Sequence, residues 1–366
     1  MRLVYLSPVP WASFAQRPHK FVAWFHARSG GDVLWIDPYP TRLPVLGDFS
    51  RTSTRASGGK VKIPDWLTVL RPSALPIESI AGSGFVNSLL WRDVLVAADA
   101  FVSKGDCQIG IAKPCELALQ VLARTSGHFS FYDAMDDFPA FYVGLSRKAM
   151  ERRERELATR VTKILVSSSP LRDRFAAYRS KVTLAPNACA VDILPSVGSL
   201  SSAKAATVLG YVGTIGHWFD WPLVCAIARQ NPSSKIRLIG PVYSPPPNSL
   251  PDNIELLPAC DHAAAIEAMQ DFSVGLIPFR RTDLTASGDP IKYYEYRALG
   301  LPVLSTCFGE MALRSEQPGV FLMDEHADLQ RLVQTALAYK CEVNEIQEFR
   351  KTTSWEARFD ASGILP

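Results

Sequence analysis

The chain has 366 residues, 47% of them hydrophobic and 20% charged, with a net charge of +3. That length and apolar content fit two globular domains and exclude a disordered polyelectrolyte. Seven cysteines without a Cys-x-x-Cys pair exclude a disulfide scaffold or zinc ribbon and predict reduced thiols in the cytoplasm.

The opening residues read as one short apolar strand, too brief for the core of a secretory leader. No run approaches the ~18 apolar residues that span a bilayer. Charge is unevenly shared. Residues 1–190 carry 25 Lys and Arg against 16 Asp and Glu, whereas 191–366 carry 14 against 20. A basic half joined to an acidic half suggests an anionic partner. Membrane phospholipid, a lipid-diphosphate acceptor and nucleic acid would each fit, and so would ordinary variation between domain surfaces.

In chain order, Leu3–Leu6 reads as a strand. The loop that follows holds Trp11, Arg17 and His19, suited to facing a ligand, with the aromatic available for stacking. Pro18 opens a helix that Gly30-Gly31 stops. Val33–Ile36 is a second strand, and the polar, basic stretch 47–60 reads as an exposed loop. Phe129–Tyr132 is a strand that runs into Asp133, Asp136 and Asp137. Crowded carboxylates raise at least one pKa, which suits a general base. A capping aspartate with exposed neighbours and a Mg²⁺ cluster are competing readings. His19 is the alternative base, although a lone histidine is more often a helix-surface residue.

A charged helix follows over 146–160. Its run 146–156 reads as a solvated face with i,i+4 pairs, or more sharply as a patch that docks by charge on an anionic membrane. No nucleic-acid-binding module is present, so nucleic acid is not an expected partner. Ile164–Ser167, a helix from Pro170, and Val182–Leu184 complete the first half. In the second half, Val208–Val212, Ile236–Ile239, Ile254–Leu257, Val274–Ile277 and Val303–Leu304 read as strands. Helices over 222–229, 262–270 and 290–299 separate them.

Strands alternating with helices predict parallel sheets covered on both faces. The fold class is therefore α/β, with two doubly wound, Rossmann-like domains. The N-terminal domain spans 1–195, a linker 196–206 and the C-terminal domain 207–345; a segment at 346–366 packs back on the first domain. Ligands are expected beyond the carboxyl ends of the strands.

Two stretches carry chemistry. In Gly210-Tyr-Val-Gly-Thr-Ile-Gly216, a strand empties into a Gly-rich turn where the backbone can approach a phosphate or sugar. It is not the dinucleotide fingerprint G-x-G-x-x-G. Residues 289–304 place Lys292 in the first turn of a short helix, whose N-terminus already favours anions. Glu295, three residues on, shares the face and suits a ribose diol. Together they form a holder for a nucleoside diphosphate.

This second stretch resembles the nucleotide-sugar motif of GT-B glycosyltransferases, closest to the bacterial GT4-like, polysaccharide-biosynthesis group that reads Pro-x-Lys-x-x-Glu-Tyr-x-Ala-x-Gly-x-Pro-Val. Pro290, Lys292, Glu295, Tyr296, Ala298, Gly300, Pro302 and Val303 match. Gly210–Asp220, Leu238–Pro241, Asn253–Pro258 and Val274–Phe279 follow the family's order over roughly 208–306. The resemblance implies two domains facing a central cleft, the N-terminal one binding the acceptor. It implies a donor site at Gly213, Thr214, Gly240, Leu257, Phe279, Ile291, Lys292 and Glu295, and a base among Asp133, Asp136, Asp137 and His19. Neither a metal nor a cofactor is required. The donor is a nucleoside-diphosphate sugar, with UDP expected before GDP. The acceptor is a glycan or lipid-linked intermediate of polysaccharide synthesis, reached from the cytoplasm by a protein peripheral to the inner face of the membrane. One departure stands out: Ser287 replaces a glutamate that many retaining members carry eight residues before the one at Glu295, which leaves an inverting mechanism open. A sugar-nucleotide epimerase and a non-catalytic nucleotide-sugar-binding subunit are the alternatives.

Overall fold

The computed structural model describes residues 1–41, 63–78, 80, 82–200 and 206–366. The predicted loop 47–60 and the linker residues 201–205 lie outside the described residues. The chain divides into two compact units. One comprises Met1–Ser167, Leu171–Ala185 and Phe359–Pro366; the other comprises Ser168–Pro170 and Pro186–Arg358.

The N-terminal unit is built on β1 (Arg2–Leu6), β2 (Val33–Ile36), β3 (Leu67–Leu70), β4 (Cys107–Ile111), β5 (Ser130–Ala134), β6 (Lys163–Val166) and β7 (Val182–Leu184). They form a parallel sheet in the order β3-β2-β1-β4-β5-β6-β7. Val4 of β1 lies opposite Leu34 and Ile109. Parallel strands sandwiched between helices must be apolar on both faces, and β2, Val-Leu-Trp-Ile, is buried throughout. The helix Arg17–Ser29 starts at a reciprocal cap between Gln16 and His19 and stops at left-handed Gly30. The chain's last residues close this unit: Phe359 packs edge-on against Phe21 at 5.0 Å, and Asp360 accepts from Trp24 at 2.8 Å.

The C-terminal unit carries β8 (Val208–Val212), β9 (Lys235–Ile239), β10 (Ile254–Leu257), β11 (Val274–Ile277), β12 (Val303–Thr306) and β13 (Val320–Met323). Their order is β10-β9-β8-β11-β12-β13, again parallel. In each sheet the direction of winding reverses at the first strand, β1 or β8, which creates a crevice at its carboxyl end. Helices Trp221–Gln230, His262–Met269 and Ile291–Ala298 connect the strands. Asp220 caps the first and Asp261 the second, each accepting a backbone N–H of the opening turn.

Three strands escape sequence reading. β4, Cys-Gln-Ile-Gly-Ile, is broken in pattern by Gln108 and Gly110, and β3 and β13 are four-residue runs with partly exposed positions. The charged helix spans Gly144–Arg160, but Arg153 is not on its solvated face. It is buried, ion-paired to Glu78 at 3.4 Å and to Glu116 at 3.6 Å.

Candidate functional site

At the carboxyl end of the C-terminal sheet, the residues expected to hold a donor come together. The chain leaves β8 through Gly213, whose φ of +137° is open to glycine but strained for other residues. A side chain there would also collide with Lys292, whose Cε and Nζ lie 2.6 Å from the position of a Cβ. Gly240, at the end of β9, has φ +143° and lies against the Gly213 carbonyl. Its own N–H donates to the carbonyl of Leu257, the last residue of β10, at 3.1 Å. The Thr214 carbonyl accepts from the Tyr211 hydroxyl at 2.7 Å, which fixes the turn after β8. Close backbone approach at three adjacent strand ends leaves a shallow floor of peptide groups instead of a wall of side chains.

The helix Ile291–Ala298 rises from that floor. Its N-cap is Pro290, no side chain caps it, and no acidic residue sits in its first turn. The free N–H groups of Ile291 and Lys292 and the aligned peptide dipoles make this end an anion site. Lys292 Nζ lies 5.0 Å from the centre of the Tyr211 ring and 5.7 Å from that of Phe279. Among the described residues it has no carboxylate partner. Burial lowers its pKa, and the nearby Glu295 charge opposes that shift. A half-buried ammonium with no carboxylate partner among the described residues, beside an uncapped helix N-terminus, is an arrangement that suits an anion.

Glu295 is buried and accepts from His262 Nε2 at 2.7 Å through Oε1. His262 is the first residue of the helix after β10 and stays partly open to solvent. Sequence reading misses it because the 33-residue separation carries no local signal. With Oε1 occupied, Oε2 is the oxygen left to receive a ligand hydroxyl.

The loop before this helix is fixed from below. Asp289 accepts from Asn187 N–H at 2.9 Å and from the Tyr294 hydroxyl at 2.8 Å, and it pairs with Arg314 at 2.8 Å. The Arg314 guanidinium stacks 3.8 Å from the Tyr293 ring centre. This network holds the N-terminal turn in place. It also commits Asp289, so that carboxylate does not make up for Ser287, which is itself buried.

In the N-terminal unit the structure separates the base candidates. Asp133 is wholly buried, with Arg17 Nη2 donating to Oδ1 at 2.8 Å and the Tyr5 hydroxyl donating to Oδ2 at 3.3 Å. Arg17 also donates to the Ala185 carbonyl at 2.8 Å. Asp133 thus serves as the buried counter-ion of Arg17. His19 is likewise withdrawn: Nδ1 accepts from Gln16 N–H at 3.2 Å, and Nε2, which then carries the proton, donates to the Trp11 carbonyl at 3.2 Å. Its ring sits 5.0 Å from Trp35 and 5.1 Å from Trp11, and burial lowers its pKa. Asp137 lies 3.5 Å from Arg174. Asp136 differs from all of these. Its carboxyl takes no hydrogen bond among the described residues, and its pKa is pushed up to about 7 by burial, with Asp133 and Asp137 adding to the rise and Arg17 opposing it. No group of three or more His, Cys, Asp and Glu among the described residues is arranged to hold a metal ion.

Neither a family model nor a curated protein matches this chain. Solved structures do. Sucrose-phosphate synthase from Thermosynechococcus elongatus aligns at TM-score 0.69 with 15% identity, over 99% of this chain and 97% of its own. A UDP-forming α,α-trehalose-phosphate synthase from Burkholderia xenovorans, in complex with glucose-6-phosphate, aligns at 0.63 with 12% identity over 98% of both chains. The lipopolysaccharide outer core galactosyltransferase WaaB aligns at 0.62 with 11% identity over 99% of both. The fold is thus the two-Rossmann-domain GT-B fold of these glycosyltransferases.

Proposed function

We propose that this protein is a glycosyltransferase that moves a sugar from a nucleoside-diphosphate sugar to an acceptor hydroxyl. The observation that carries this reading is the uncapped helix N-terminus at Ile291, with the unpaired Lys292 beside the Gly213 turn. The diphosphate sits there, and Lys292 with the helix N–H groups stabilises its charge as the glycosidic bond breaks. Glu295, oriented by His262, holds the ribose. Asp136 takes the proton of the acceptor hydroxyl, its raised pKa matching that task. A UDP-sugar is the first donor to test, because one structural relative is a UDP-forming synthase; a GDP-sugar is second. For the acceptor, a lipid-linked glycan intermediate of polysaccharide synthesis, in the manner of the GT4-like group, is preferred, and a sugar phosphate is the competing class. The working compartment is the cytoplasm.

Calorimetry with UDP, GDP and TDP, followed by hydrolysis of the corresponding sugars, tests this. Micromolar binding of one diphosphate and slow release of free sugar are expected. Binding without turnover, even with acceptors, would favour a non-catalytic subunit. Conversion to another nucleotide sugar would favour an epimerase.

A further inference from the structure

On the helix Gly144–Arg160, the carboxylates are engaged. Glu151 pairs with Arg147, Glu156 with Arg160, and Glu154 with Tyr132 and Arg174. Three exposed cations are left over: Lys148, Arg152 and Arg155, none with a side-chain partner among the described residues. Their spacing of four and three residues puts them in one stripe. Leu145, three residues before Lys148, heads that stripe and is 68% exposed; Val143 and Phe141 precede it at 83% and 49%. Three large apolar residues standing in water at the head of an unpaired basic stripe are not explained by folding.

A second apolar face lies on a helix that packs against the same neighbour. The helix Ser83–Leu90 is turned inside out: Asn87 is buried, its amide bonded to both backbone groups of Leu75, while Phe85 and Leu89 are 78% and 73% exposed. This helix packs on Glu116–Arg124, which packs on Gly144–Arg160. Glu116 ties the two outer helices together, lying against Gly84 on one side and pairing with Arg153 on the other.

We infer that the N-terminal unit docks by this edge onto an anionic phospholipid surface. Cations beside protruding apolar side chains match phosphate headgroups beside acyl chains. A soluble polyanion would satisfy Lys148, Arg152 and Arg155 but leave Val143, Leu145, Phe85 and Leu89 in water. No described helix is long and apolar enough to cross a bilayer, so the docking is interfacial. It does not depend on the glycosyltransferase reading, because it needs no nucleotide.

The test is co-sedimentation of the full chain with vesicles of phosphatidylglycerol and phosphatidylcholine, compared with phosphatidylcholine alone. Wild-type protein should bind the anionic vesicles, and salt should weaken the binding. Each cation contributes about fivefold, so Lys148→Glu, Arg152→Glu and Arg155→Glu together should lower partitioning by roughly 10²-fold. Val143→Asp with Leu145→Asp should lower it roughly tenfold or more. Diphosphate affinity measured on the same variants reports whether they are folded and whether the donor reading stands by itself. Wild-type protein left in the supernatant at low salt would overturn the inference. So would vesicle binding that neither set of substitutions weakens, or retention on heparin without vesicle binding.

Discussion

The two units place a helix N-terminus at the same point of the same topology, just past the strand beside the first one. In the N-terminal unit that helix, Glu116–Arg124, follows β4, and its end is already filled. Glu78, a buried carboxylate, accepts the Glu116 N–H, and the Tyr39 hydroxyl accepts the Leu117 N–H at 3.1 Å. In the C-terminal unit the helix Ile291–Ala298 follows β11, and its end is open, with an unpaired lysine beside it. One unit supplies its own anion; in the other, no described side chain does. The same contrast holds for the cations. Arg17 is buried and ion-paired to Asp133, whereas Lys292 has no carboxylate partner among the described residues and lies against the Tyr211 and Phe279 rings. Fold alone does not make a phosphate site at a strand end; in the proposed reading, what distinguishes the C-terminal helix is that no described carboxylate fills its N-terminus.

The largest expected effect tests that contrast directly. Arg17→Met leaves Asp133 as an uncompensated buried charge and should cost about 3–5 kcal/mol of unfolding free energy. Lys292→Met removes an unpaired, desolvated charge and should leave stability unchanged or raise it. Urea melts of both variants decide the matter; equal destabilisation would mean that Lys292 has a structural partner after all.

Next in size is Asp136→Asn, which should reduce transfer by ~10² or more while sparing donor affinity. The pH dependence has a definite sign. The base works ionised, so wild-type transfer should climb as pH rises through about 7 and then level off. The raised folded pKa also means that ionising Asp136 opposes folding: stability is relatively higher below the ordinary aspartate pKa and is lost as pH rises toward 7. Asp136→Asn should therefore melt higher than wild type above that pH. A flat transfer profile between pH 6 and 8, with near-normal turnover of the variant, would move the base to Asp137.

The C-terminal site is legible in sequence because its parts are local. Lys292 and Glu295 lie on one turn of one helix, and Gly213 declares a backbone that a side chain would block. The N-terminal site is not, because its carboxylates differ only in what they meet across the fold. Asp133 meets Arg17 from 116 residues away, whereas the Asp136 carboxyl takes no hydrogen bond among the described residues and only feels the charges of Arg17, Asp133 and Asp137. Likewise His19 looks like a free imidazole in sequence, yet the cap of its own helix and two tryptophans consume it. The edge proposed to meet a membrane is half legible: charge marks the helix, but the run 146–156 also contains Arg153, which the fold buries, and only tertiary structure exposes Phe85 and Leu89 while hiding Asn87.

Lys292→Ala should weaken diphosphate binding by roughly 1.5–3 kcal/mol, the usual range for a charge-assisted bond. Losing that contact should affect UDP far more than uridine. Calorimetry with both ligands checks this, and an equal loss for the two would place Lys292 near the base or ribose instead of the diphosphate.

The smallest effect concerns His262, the residue that only the structure assigns to this site. It donates to Glu295 Oε1 and so fixes which way the carboxylate presents Oε2. Removing one such hydrogen bond is worth about 0.5–1.5 kcal/mol, so His262→Ala should weaken UDP binding by about 2- to 10-fold. A general loosening of the helix His262–Met269 would do the same, so affinity alone does not separate the two causes. Discrimination does. If His262 acts through Glu295 on the ribose diol, the variant loses affinity for UDP but not for 2′,3′-dideoxy-UDP, which lacks the hydroxyls. Glu295→Gln, which keeps a hydrogen-bonding oxygen but not the charge, should show the same selective loss to a greater degree. A His262 variant that weakens both ligands equally would reduce this contact to a structural tie between two helices.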